Sequence, residues 1–281
     1  MRDIKIYRNH SLRSFLMPIL KATAFDFSMA HHWVPGIRFR LNSFRHKGYW
    51  FHGHRREMET MQLFREIIRP GDVVVEVGGH IGYISLYFAY LVGKFGKVFV
   101  FEPGSNNLPY IRMNLVERVP NEIGTRLELL ERAVGDRAGE VDFYEDSLTG
   151  QNNSVVKDFD GLRANIAVSF VESEVSLNRV KMVTLDGYFV DCRVDFIKID
   201  IEGFEWFALS GAIRILERQH PAIMVEVQAN YAEIYSELSR IGYLLLNPAL
   251  ALITQPSEMR GNTFCLHRER HADLIRQLGL C

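Results

Sequence analysis

From residue 73 onward the chain alternates short apolar runs, mostly β-branched or aromatic, with longer segments of helical spacing. The clearest case is Val73-Val-Val-Glu-Val77, which passes directly into Gly78-Gly-His-Ile-Gly82 and then an apolar helix. Strands buried on both faces read as continuous apolar runs, and helices between them imply parallel crossovers. The pattern constrains the fold to α/β: a doubly wound, Rossmann-like, mostly parallel sheet of seven strands. Strands are expected at Val73–Val77, Lys97–Glu102, Arg126–Glu131, Val194–Asp200, Ala222–Val227, Tyr243–Leu246 and Thr263–His267. Helices are expected at Glu57–Ile68, Gly82–Val92, Asn107–Arg118, Phe204–Arg218, Tyr231–Arg240 and Ala272–Leu278. Between 133 and 193 the alternation breaks, with Glu140–Tyr144 and Val180–Thr184 as further strand candidates.

The loop after the first sheet strand carries chemistry. Glycines between a strand and a helix let the backbone turn tightly and approach a ligand. Here Gly78 and Gly82 are four apart, and Glu76 precedes the first glycine by two. A carboxylate there repels a pyrophosphate and attracts an ammonium or sulfonium. The second strand ends at Glu102-Pro103, where an acid can take two ribose hydroxyls. Together these favour a nucleoside with a cationic tail and no phosphates, S-adenosylmethionine (SAM). They weigh against the rival reading, an oxidoreductase using a nicotinamide cofactor.

Charge divides the chain. Residues 1–56 hold eleven Lys and Arg against two acids, Asp3 and Asp26, while residues 57–281 hold 22 against 32. Six of the ten histidines lie in the first 56 residues. This predicts a basic N-terminal arm or small cap (1–56) before a catalytic domain (57–281). In the arm, Leu12, Phe15, Leu16, Ile19 and Leu20 have helical spacing, with Pro18 tolerable if the helix starts near Ser14. Ile37 to Leu41 alternates like a half-exposed strand. The arm is expected to favour an anionic or phosphate-linked acceptor, to rest on an anionic membrane surface through Leu12–Leu20, or to pack on the acidic body. No apolar run reaches the ~18 residues of a membrane span. The N-terminus lacks the pattern of a secretory signal, and three widely spaced cysteines match no metal or redox spacing. A reducing cytoplasm is the expected location.

Residues from about 57 to 247 resemble the FkbM-type SAM-dependent methyltransferases. The matching stretches are Pro70 to Tyr83, Phe101-Glu-Pro103, Ala133-Val-Gly-Asp136, Thr184-Leu-Asp186, Asp195-Phe-Ile-Lys-Ile-Asp-Ile-Glu-Gly-Phe-Glu205 and Pro221 to Glu226. The resemblance implies a seven-strand class I methyltransferase fold, SAM as methyl donor, and O-methylation of a hydroxyl on a saccharide, glycolipid or secondary metabolite. It puts Gly78, Gly79, His80, Gly82, Tyr83, Pro103 and Ala133 beside the cofactor, with Glu57 as a further acid there. The sequence departs from the family pattern at Glu76, usually aspartate, and at Gly79, commonly alanine.

Methyl transfer from a sulfonium is an in-line displacement that needs a positioned hydroxyl and gains from a base. Candidates for that base are Asp200, Glu202, Glu226 and His54 of the arm. Asp200 ends the fourth strand, where it could also meet the cofactor. Asp200, Glu226 and an amide oxygen of Gln228 or Asn230 could hold a hard cation, although no metal is assigned. The polar loop with Asn152, Asn153 and Ser154 suits a hydroxyl-rich substrate. The Asn/Asp-Pro-Pro-aromatic stretch of base-amine methylators is absent after the fourth strand, so no nucleic-acid partner is expected. A non-catalytic SAM-binding module stays open as the third reading.

Overall fold

The computed structural model describes residues 10–117, 126–157 and 174–280. The expected helix end at Arg118, the middle of the loop region after Ser154, and Cys281 lie outside the described residues. In chain order come α1 (His10–Ala22), β1 (Asp26–Ala30), β2 (Arg38–Asn42), α2 (Lys47–His52) and α3 (Met58–Ile67). Then follow β3 (Val73–Val77), α4 (Tyr83–Val92), β4 (Lys97–Phe101), α5 (Leu108–Arg112), β5 (Arg126–Leu130), β6 (Ala133–Val134), β7 (Gly139–Asp146) and β8 (Val175–Val183). The last part holds α6 (Leu185–Tyr188), β9 (Phe196–Ile199), α7 (Glu205–Ser210), α8 (Ile213–Gln219), β10 (Ala222–Val227), α9 (Tyr231–Ile241), β11 (Tyr243–Leu246), β12 (Gly261–His267) and α10 (Ala272–Gln277).

The main sheet has seven strands in the order β11-β12-β10-β9-β3-β4-β5. Six run in one direction, and β12 is antiparallel to both of its neighbours, β10 and β11. Counted along the chain from the β5 edge, the order is third, second, first, fourth, fifth, seventh, sixth. It reverses between β3 and β9, and a ligand crevice opens at such a reversal. The central strands are apolar because both faces are covered: all four residues of β9 are buried, as are Val74 to Val77 of β3. One apolar cluster lies under α3 and α4, the other under α6 to α9. A three-stranded sheet, β6-β8-β7, flanks the main one.

The arm is a β1–β2 hairpin paired from Asp26↔Asn42 to Ala30↔Arg38. Val34, Ile37, Phe39, Leu41 and Tyr49 belong to the same apolar cluster as α3 and α4, so this part of the arm is continuous with the body. β1 had no expected counterpart. Asn114 joins the hairpin to the glycine loop: its amide accepts from Arg40 N (2.7 Å) and donates to Arg40 O (3.0 Å) and Ile81 O (2.8 Å). The helix around Asn114 widens into a π turn, Met113–Glu117, where the expected helix ran on regularly.

Two other helices depart from expectation. The helix expected at Phe204–Arg218 is two, broken at Gly211, where the chain lies so close to Gly135 that a Cβ would stand 2.0 Å from its carbonyl oxygen. Asp186 then caps the second piece, accepting from Arg214 N and Ile215 N at 2.9 Å each. α1 begins at His10 rather than near Ser14, so Pro18 sits in its interior. Among the described residues no helix is long and apolar enough to cross a membrane.

Candidate active site

A cavity of about 280 Å³ opens at the C-terminal ends of β3, β4, β9 and β10. It exists because bare backbone permits close approach. Gly78 has φ +89°, and a Cβ on it would lie 2.0 Å from the carbonyl oxygen of Asp200, so only glycine lets the ends of β3 and β9 touch. Among the described residues six non-glycine positions have positive φ, and three of them, Glu57, His80 and Glu202, line this cavity. Such strained positions cluster where a side chain must be aimed.

At the base sits Lys198 on β9, buried to 1% exposure. Its Nζ lies 3.6 Å from Glu76, 3.2 Å from Asp200 and 3.1 Å from the Gly78 carbonyl. Burial pulls this ammonium down, but Asp200 and Glu76 outweigh it and hold it charged. Glu76 also accepts from Ser85 Oγ, so Ser85 serves the acid. Burial raises Glu76 to about 7 against the pull of Lys198. Glu102 is likewise raised to about 7 by burial. It accepts from His80 N (2.7 Å), Gly104 N (2.8 Å) and Asn107 Nδ2 (3.3 Å), which leaves part of its acceptor capacity for a ligand.

A second carboxyl group of residues gathers around Asp200. Burial raises its acidity cost, yet Lys198 and a hydrogen bond from Glu226 bring it below the usual carboxylate range. Glu226 is pushed up to about 10, first by Asp200 and then by burial. The pair therefore shares one proton, with the charge on Asp200. Glu202 is raised to about 8 by burial and by Asp200, and it accepts from Gln228 Nε2 at 2.6 Å. Glu205 lies behind them, buried, accepting from Gly203 N at 2.7 Å, and does not line the cavity. Among the described residues no group of three or more His, Cys, Asp or Glu side chains is placed to hold a metal ion.

Most of the expected site residues meet here: Glu57, Glu76, Gly78, Gly79, His80, Tyr83, Glu102, Pro103, Ala133, Asn152, Asn153, Asp200, Glu202 and Glu226 all line the cavity. Three do not. Gly82 caps α4 behind the loop, against Leu115. Ser154 is turned inward, donating to the Glu202 carbonyl (2.7 Å) and accepting from Val156 N (2.9 Å), so it steadies the Glu202 turn. His54, expected as a candidate base, is exposed and stacked on Trp33 with centroids 4.0 Å apart, outside the cavity lining. Asn153 lines the wall with its amide already committed to Asn106 and Asp146 N.

Sequence reasoning missed Tyr49, Arg56 and Lys198. Tyr49 and Arg56 come from the arm and line the cavity, with the guanidinium 4.6 Å over the Tyr49 ring and 3.2 Å from Glu57. The Tyr49 hydroxyl lies 3.0 Å from His80 Nδ1, and His80 Nε2 lies 3.2 Å from the Thr149 carbonyl. A carbonyl only accepts, so Nε2 carries the proton, Nδ1 accepts, and Tyr49 donates to it. Burial lowers His80 to about 4, which keeps that ring neutral. Tyr83 is held similarly, stacked on His31 at 4.1 Å with its hydroxyl 2.9 Å from His32 Nδ1. For Lys198 a signal existed: a lysine in the middle of a strand otherwise apolar on both faces needs buried acids as partners.

A sheet of this order, with a glycine turn and acids at the C-terminal strand ends, is that of a class I SAM-dependent methyltransferase. The chain belongs to the FkbM methyltransferase family, whose methyltransferase domain matches residues 76–245. Among solved structures it is similar to methyltransferase FkbM from Methylobacillus flagellatus, at 18% identity and a TM-score of 0.45, covering 73% of this chain and 50% of that one. The chain thus spans half the length of that protein. It is also similar to a SAM-dependent O-methyltransferase from Thermotoga maritima (11% identity, TM-score 0.39, 74% and 63% covered). A third is fibrillarin from Aeropyrum pernix, in complex with natively bound SAM (10% identity, TM-score 0.36, 73% and 72% covered). No curated protein matches the chain.

Proposed function

We propose that this methyltransferase acts on a hydroxyl oxygen of a saccharide, glycolipid or secondary metabolite. The observation that carries the reading is the carboxyl group of Asp200, Glu202 and Glu226 in one cavity with the glycine loop. An aliphatic hydroxyl is a poor nucleophile, and a base at hydrogen-bond distance is worth ~10²–10⁴-fold. Asp200, held ionised by Lys198, orients the hydroxyl, and Glu202, raised to about 8, takes its proton. The donor set fits SAM: Glu76, Glu102 and Asp200 present carboxylates toward a cationic ligand, and Gly78, Gly79, Pro103 and Ala133 offer a close backbone wall. When bound, SAM supplies the methyl group on a sulfonium.

In this reading segment 1–56 caps the domain at 57–281, with Tyr49 and Arg56 as its contribution to the acceptor wall. Arg56 favours an acceptor that carries negative charge. Cys192 and Cys265 are free thiols, which supports a reducing cytoplasm. The test is transfer of a labelled methyl group from SAM to a panel of glycans and hydroxylated metabolites, with amine acceptors beside them. Label on a hydroxyl, lost in Asp200→Asn while SAM still binds, supports the reading. Label on amines alone overturns the O-specific part. Binding without transfer to any acceptor favours a non-catalytic module, and preference for a nicotinamide cofactor in calorimetry removes the methyl-transfer reading.

A further inference from the structure

We propose that α1 and the aromatic rim beside it dock this protein onto an anionic lipid bilayer. Met17 is the one buried side chain among those described in α1, packed on Phe44 and Leu148. Phe15, Leu16, Ile19 and Leu20 share one helical face and are exposed, Phe15 to 67%. Phe25 (62%) and Trp50 and Phe51 extend the patch. The Ser43–Phe44 turn ties these parts together. Ser43 Oγ accepts from Phe25 N at 3.0 Å, Trp50 Nε1 donates to Ser43 O at 2.8 Å, and Phe44 carries Met17. Large exposed apolar side chains gathered around one turn mark an interaction site.

Charge selects the occupant. Arg45 follows Phe44 in the turn and donates to the Ser147 carbonyl (3.4 Å), Lys47 opens α2 with its ammonium 4.6 Å over the Phe44 ring, Lys21 lies in the last turn of α1, and Arg55 follows the Trp50–Phe51 rim. The only acids in the first 56 residues are Asp3 and Asp26, and Asp26 is engaged by Arg40, Asn42 and Tyr110. Exposed aromatic and aliphatic side chains on a segment with eleven Lys and Arg against two acids match an interfacial helix on anionic lipid. A two-fold contact of the patch with itself would set these cations against each other. Leu148, beneath Met17, directly precedes Thr149 and the lining residues Gly150 to Asn152. Docking therefore brings the cavity rim to the bilayer. Resting on the hydroxyl-methylation reading, it suits a sugar carried on a lipid.

The experiment is sedimentation with phosphatidylcholine vesicles, with and without phosphatidylglycerol, using the full chain without cofactor or acceptor. The expected result is binding to the anionic vesicles at low salt, weakened roughly tenfold or more at high salt. The pair Phe15→Glu with Ile19→Glu abolishes it, and Phe95→Glu, an exposed aromatic at the opposite edge of the sheet, does not. Unchanged circular dichroism shows that the double variant is folded. No binding at low salt, or full binding by the double variant, overturns the proposal. So does a dimer in the parent that the double variant turns into a monomer without lipid, since the patch is then a self-interface. Because vesicle binding is read without methyl transfer, its failure is separate from failure of the hydroxyl reading.

Discussion

Replacing Lys198 by methionine tests how the site is held together. The ammonium lies 3.2 Å from Asp200 and 3.6 Å from Glu76; Lys198 and Glu76 are buried, and Asp200 is half-buried at the cavity wall. At an effective dielectric constant near 20 each attraction is about 5 kcal/mol, against several kcal/mol for dehydrating the lysine. Removing one partner of such a pair leaves uncompensated buried charge, so the expected loss is about 3–5 kcal/mol near neutral pH. The loss has a pH signature. Glu76 is already raised from 4.5 to about 7 by burial, and Lys198 is what keeps it from rising further. Without the lysine, Glu76 and Asp200 both titrate higher, so the variant's native state binds more protons than the parent's. Stability rises with pH only where the unfolded state binds more protons, so the variant's deficit grows as pH rises through neutrality and shrinks in acid. The lysine, raised above its usual value, adds no slope below its own unfolded range. Urea unfolding of parent and K198M at about pH 5 and about pH 8 reads the difference. A deficit under about 1 kcal/mol, or one equal at both pH values, refutes the buried ion-pair account.

Gly78→Ala should cost about 3 kcal/mol in thermal unfolding, from left-handed strain plus collision with the Asp200 carbonyl. Gly71→Ala, with the same φ of +89° and nothing within 4 Å, should cost only about 1 kcal/mol. With Glu202 raised to about 8, kcat/KM should climb with pH through that value as the base ionises, and Glu202→Gln should flatten the climb. A flat parent profile across the neutral range removes Glu202 as base. Tyr49→Phe should lower stability by about 1 kcal/mol in urea unfolding, because His80 Nδ1 loses its donor inside the protein. An unchanged midpoint would show that water replaces the phenol.

What could be read from the sequence depended on whether one physical rule decided each position. β3, β9 and β10 were legible because burial on both faces leaves an unbroken apolar run, and their bounds moved by no more than two residues. The acids at strand ends were legible because topology fixes which edge they occupy. Lys198 was not, because hydropathy counts it as a break in the strand, and only Glu76 across the register on β3 and Asp200 two residues further along explain its burial. Tyr49 and Arg56 were hidden for another reason. Charge counting set the arm apart, while its apolar residues join the main core and carry those two side chains to the cavity. The break falls at Gly211, where a close contact with Gly135, more than seventy residues earlier in the chain, leaves no room for a side chain, and no local pattern carries that contact.

The raised acids give the cavity a proton-linked preference that separates the cofactor classes. Near neutral pH, Glu76 and Glu102, both raised to about 7 by burial, are each about half protonated. A positive charge within ~4–6 Å lowers a carboxyl such as Glu76 by ~1–3 units, and ribose hydroxyls donating to Glu102 favour its ionised form as well. Binding a sulfonium with an ammonium should therefore release about one proton in total near pH 7, and its affinity should rise with pH until both acids are ionised. A pyrophosphate would have the opposite effect, raising the same carboxyls and taking protons up. Calorimetry of SAM binding in phosphate and in Tris, whose ionisation heats differ, counts the protons directly. Heats independent of buffer would mean that Glu76 and Glu102 do not change ionisation on binding, and proton uptake would contradict the cationic-ligand reading of the glycine loop.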